Sequence, residues 1–65
     1  MHPATEALLR YFTFDHLPEH LRAISEPFHT LAYRLATNTD LHGPELTVAL
    51  RKLLEAKDCA VRAAL

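Results

Sequence analysis

The densest apolar pattern lies in the last third of the chain, Gly43 to Leu65. Leu46, Leu50, Leu53, Ala60 and Ala64 step by three, four or seven residues, the spacing of one face of an α-helix. Leu54, Val61 and Leu65 add a second apolar strip beside the first. Gly43 and Pro44 mark the start, with proline at the first helical position and Glu45 near the positive end of the dipole. The pattern predicts a helix over residues 44–64 with more apolar surface than one partner helix can cover. Ala49, Ala56, Ala60 and Ala63 are small enough to let another helix approach closely.

A second helix is predicted over residues 19–37. Leu21, Ile24, Phe28, Leu31 and Leu35 step 3, 4, 3, 4, which reads as a coiled-coil-like seam. Pro27 removes a donor to the carbonyl of Ala23 and crowds it, so a kink or a one-turn break is expected at residues 23–27, with Ser25 able to cap a restarted helix. Asn38 to Gly43 is a polar turn of ordinary length for an antiparallel helix pair. Upstream, residues 3–10 form a short helix started by Pro3 or Thr5, too short to stand alone. Tyr11 to Pro18 (YFTFDHLP) is aromatic, β-branched and proline-terminated, and predicts an extended arm. The expected fold is all-α: a helical hairpin with a short N-terminal helix and an aromatic arm, one domain over residues 1–65.

With 65 residues and a single cysteine, Cys59, the chain has no intrachain disulfide, and no Cys/His cluster has zinc spacing. A domain of roughly 60 residues buries only about 60% of its unfolded surface. Self-assembly into a homo-oligomer is therefore the expected route to stability. Cys59 lies within the apolar helix and is expected to be a buried free thiol in a reducing compartment. The net charge of −1 excludes a strongly basic surface for DNA or RNA polymers. It leaves room for a small local pocket for a compact anion. No apolar run reaches the roughly 20 residues of a membrane span, and no signal-peptide core precedes the first helix, so a cytoplasmic protein is expected.

Catalytic chemistry finds little support. His16 and His20 are spaced as two ligands on one helical turn would be, but Pro18 lies between them and no third ligand follows. No Ser/His/Asp or Cys/His signature is present. Neither a metal, a cofactor nor an enzymatic activity is expected. Arg51, Lys52, Glu55, Lys57 and Asp58 read as a solvated charged face. One stripe is more suggestive: Arg22, Glu26, His29 and Tyr33 are spaced 4, 3, 4 on a face distinct from the seam. Beside it in sequence stand Tyr11, Phe12 and Phe14. Aromatic faces for bases with a few cations for phosphate are what a nucleotide pocket needs. The alternative on residue types is that Phe12 and Phe14 are packing anchors.

Three blocks read together, FTFDHLP (Phe12–Pro18), SEPFHTLAYRLA (Ser25–Ala36) and GPELTVALRKLLEAKDCAVRAA (Gly43–Ala64), resemble a family of small phage proteins that act as cyclic-nucleotide sponges against the bacterial CBASS defence. The order and spacing of the blocks carry the resemblance, over roughly residues 11–64. It implies a compact homo-hexamer with ligand pockets between protomers, binding cyclic dinucleotides, with a second family site for cyclic trinucleotides. Phe14 matches the family's base-stacking tyrosine and lacks only the hydroxyl. The family's phosphate-binding lysine falls on His29, a departure, since a histidine has an ordinary pKa of about 6.5 and is mostly neutral at pH 7. Arg22 on the same stripe then supplies the charge, and Tyr11 and Tyr33 complete the candidate ligand-binding set. The trinucleotide site's arginine belongs at the start of the last helix, where this chain reads Glu45-Leu46-Thr47 and has no arginine before Arg51. The implied function is sequestration, without cleavage, of cyclic dinucleotide signals in the cytoplasm of the infected host. The alternative is a small phage helix module that binds another protein by its apolar face.

Overall fold

A computed structural model describes all residues from Met1 to Leu65 as three α-helices and one short 3-10 turn, with no strand. Helix α1 (Pro3–Leu9) begins with Pro3 at the first helical position, and the Nδ1 of His2 accepts from the N–H of Ala4 at 3.0 Å. A proline whose missing donor would be an orphan anyway and a capping acceptor just before it together start the helix. A 3-10 turn, Arg10–Phe12, follows directly. Helix α2 (Glu19–Thr37) and helix α3 (Pro44–Ala63) form the hairpin, and α1 packs across both.

The turn between α2 and α3 uses the chemistry its residues offer. Asn38 Oδ1 accepts from the N–H of Asp40 at 2.9 Å, a side-chain mimic of a backbone turn. Gly43 has φ 82°, the left-handed region. A Cβ there would meet nothing within 4 Å, so backbone conformation, not space, calls for glycine. Pro44 then opens α3.

The core is small. Leu9, Phe12, Ala32 and Leu50 are its buried members, one or more from each segment. Leu8, Phe28, Leu35, Ala36, Leu46, Leu53 and Leu54 pack around them half-buried. Two apolar expectations change here. Leu54 belongs to the core periphery, covered from the N-terminal side, so the second strip of α3 is reduced to half-buried Val61 and exposed Leu65. On α2 the buried positions are Leu21, Ser25 and Ala32, with Phe28 and Leu35 half-buried, while Leu31 is exposed. The inward face is thus centred one residue away from the predicted seam. Two small residues, Ser25 and Ala32, are buried on that face, while Ile24 is half-buried and Leu31 exposed.

Three further expectations are corrected. Helix α2 runs unbroken through Pro27, with no restarted helix and no cap from Ser25. Both Ala23 and Pro27 face solvent, so the carbonyl deprived of its donor is left to water. The segment read as an extended arm starts as the 3-10 turn, drives Phe12 fully into the core, and continues as a turn over Asp15 to Leu17. Cys59 is exposed rather than buried, on the solvent side of α3 with Ala49, Ala56 and Ala63, and an Arg62 guanidinium nitrogen lies 3.4 Å from its sulfur.

Ser25 Oγ is buried with no hydrogen-bond partner. An unmade buried hydrogen bond costs about 1–3 kcal/mol. Ser25→Ala keeps the small volume between the helices and removes that hydroxyl. The urea midpoint should rise by the equivalent of about 1 kcal/mol; a lowered midpoint would mean the hydroxyl finds a partner in solution.

Candidate functional site

The site is built where the segment after the 3-10 turn returns against α2. Phe12, sealed in the core, fixes the register of the chain just before it. Phe14, two residues on, is half-buried and lays its ring against His29 with centroids 5.1 Å apart at 74°, edge to face. His29 and Tyr33 are one helical turn apart, so their side chains share a face. Their rings lie 4.6 Å apart at 38°. The imidazole is thus flanked by two aromatic rings, one from each of two chain segments far apart in sequence. Such pairings orient rings beyond what burial alone does. A protonated His29 would also lie within cation–π reach of Tyr33.

Of the five residues singled out from sequence, the fold brings together Phe14, His29 and Tyr33. Arg22 is exposed on the same stripe of α2, seven residues before His29, which is roughly 10 Å along the axis at 1.5 Å per residue. Tyr11 points elsewhere. It is exposed and lines a different recess, between the 3-10 turn and the C-terminal half of α3.

Arg10 was not anticipated. It stands with Thr13 and Tyr33 around an open recess of about 580 Å³ between α1 and α2, beside the ring cluster. That recess gives the cluster a neighbouring cation: Arg10 shares a concave surface with Tyr33. Only the side-by-side packing of α1 and α2 reveals this, because Arg10 reads in sequence as the ordinary basic end of a short helix.

The seat of the aromatic segment is held from α3. Lys57 Nζ donates to the Tyr11 carbonyl at 2.8 Å and lies 3.2 Å from Asp58 Oδ1. Its side chain is only 12% exposed. Every other side-chain hydrogen bond joins residues at most four apart, so this one is the polar tie between distant elements. Lysine's long apolar stem lets an ammonium reach that carbonyl while the stem stays packed.

No three His, Cys, Asp or Glu side chains converge as metal ligands would. His16 sits in the turn outside α2 and His20 in its first turn, so the i, i+4 geometry on one helix is not formed. No helix is long and apolar enough to cross a membrane. Comparison of the chain with protein-family models, with curated proteins and with solved structures finds no match.

Proposed function

We propose that the protein binds a cyclic dinucleotide at the Phe14–His29–Tyr33 cluster and holds it intact, as a homo-oligomeric sponge for such signals in phage-infected bacteria. The observation that carries the reading is the ring cluster itself: the two positions matched to a stacking tyrosine and a phosphate-binding lysine lie 5.1 Å apart between ring centroids, although fifteen residues separate them. A base stacked on Phe14 would place its sugar–phosphate within reach of the imidazole, with Arg10 across the neighbouring recess. Holding a ligand needs desolvation and preorganised contacts rather than an acid, base or metal. The test is calorimetry against a panel of cyclic di- and trinucleotides, on protein whose mass is measured by light scattering. Release of unaltered ligand on denaturation separates binding from turnover. No binding of any member of the panel would overturn the reading.

Assembly is part of the proposal. The accessible surface is 4551 Å², somewhat above the about 4,200 Å² of a compact monomer of this mass. Helix α3 turns Ala49, Ala56, Cys59 and Ala63 to solvent at steps of seven, three and four residues, a face on which another helix can pack closely. Ala56→Arg tests this without touching the protomer's core, since position 56 is exposed and arginine is a good helix former. The wild type should sediment as an oligomer and the variant as a folded monomer with unchanged helical circular dichroism. A wild type that sediments as a monomer would remove the assembly and favour the second reading, a helical interaction module for another protein, to which exposed Leu31 and Leu65 are suited.

With histidine in place of lysine, affinity acquires a pH dependence. A bound anion favours the protonated imidazole, so binding takes up a proton. Affinity should therefore be higher in mildly acidic than in mildly alkaline solution. His29→Lys should flatten the profile, because lysine stays charged throughout. A flat profile in the wild type would leave the phosphates to arginine.

A further inference from the structure

A second concave surface lies away from the ring cluster and shares none of its three residues. It is a recess of about 320 Å³ between the 3-10 turn and the last turns of α3, where Arg10, Tyr11, His16, Lys57 and Arg62 converge. These residues are scattered over the sequence and meet only because α3 runs back along the first helix. The chain as a whole carries a net charge of −1. Here three cations face one carboxylate, Asp58, which already pairs with Lys57 at 3.2 Å.

That pair is the one ion pair of the chain, so neither Arg10 nor Arg62 has a carboxylate partner. The contact of Arg62 is a weak one, to the Cys59 sulfur at 3.4 Å. Lys57 is held in place, since its ammonium donates to the Tyr11 carbonyl and its side chain is 12% exposed. The Lys57 side chain, only 12% exposed, and two guanidinium groups without carboxylate partners give a focused positive field in a concavity, where opposite charge is concentrated. Guanidinium groups recognise phosphoryl oxygens through paired N–H donors, and the lysine adds a point charge.

We propose that this recess is a binding site for a compact phosphoryl polyanion, with Arg10 and Arg62 as its direct donors and Lys57 as the fixed charge beneath. Tyr11, 65% exposed, borders the same recess and offers a ring to any group attached to the phosphate. Arg10 also borders the recess beside the ring cluster, whereas Lys57 and Arg62 do not line that one, so Arg62→Gln tests this site apart from the cyclic-dinucleotide reading.

The probe is sodium pyrophosphate, titrated into the full chain at low ionic strength and followed by amide nuclear magnetic resonance. Saturable shifts are expected in Arg10 to Thr13 and in Lys57 to Arg62, weakening as salt is added. Arg10→Gln and Arg62→Gln should each lower pyrophosphate affinity about tenfold, the worth of one hydrogen bond to a charged group. Both positions are exposed, so the fold is retained. Lysine at the same two positions should restore part of the affinity. Phe14→Ala should leave it unchanged. Three results would overturn the proposal: shifts reproduced by sodium chloride of equal ionic strength, affinity that survives the double glutamine variant, or loss of pyrophosphate binding in Phe14→Ala.

Discussion

Phe12→Ala is expected to remove about 3–5 kcal/mol of folding free energy, the loss usual for a fully buried phenyl ring. Phe12 is completely buried and is one of the four buried residues of the central cluster, with Leu9, Ala32 and Leu50. At the usual 0.05–0.15 kcal/mol per residue, a chain of this length has roughly 3–10 kcal/mol in all. A single truncation therefore takes about a third of the stability or more. The core has no second layer to collapse into the hole, because α1, the 3-10 turn, α2 and α3 all meet at this ring. Urea unfolding followed by circular dichroism should show the variant's midpoint far below that of the wild type. Leu65→Ala is the control, since Leu65 is 83% exposed and its loss should be within about 0.5 kcal/mol of neutral. Equal midpoints for the two variants would contradict the central place of Phe12.

Position along the chain, more than residue type, decided what could be read from sequence alone. Helices α2 and α3 were legible because apolar spacing, Pro44 and Gly43 all agree, and consistent local signals specify local structure. The register of α2 was not. Pattern reading places the largest apolar residues inward, yet two small ones, Ser25 and Ala32, are buried on that face. A serine on the inward face carries no hydropathy signal. Pro27 misled for a related reason: its effect depends on whether the deprived carbonyl faces the core or water, and only the fold tells which. Of the stripe Arg22, Glu26, His29 and Tyr33, the contact of His29 with Tyr33 is legible in the spacing, because residues four apart on a helix share a face. The meeting of Phe14 with His29 is a tertiary event. It follows from Phe12 being pinned in the core two residues earlier, so one aromatic residue is the anchor and the next is left for the site. The separation of Tyr11 into the opposite recess has the same origin, since the tight 3-10 turn sends successive side chains to different sides.

That division of labour sets the last and most direct expectation. Phe14→Ala should weaken cyclic-dinucleotide binding by about 1–3 kcal/mol, the usual worth of one base–aromatic stack. The fold should change little, because Phe14 is half-buried and outside the core cluster that Phe12 anchors. Phe14→Tyr should bind about as well as the wild type, because the phenol keeps the stacking face. Removing the ring also frees one side of the imidazole, so the pH dependence of binding should become shallower in Phe14→Ala as His29 loses its fixed orientation. Calorimetry on the three proteins at pH 6 and pH 8 reads both effects at once. An alanine variant that keeps its assembly, its urea midpoint and its full affinity would make Phe14 a packing residue and move the ligand away from this cluster.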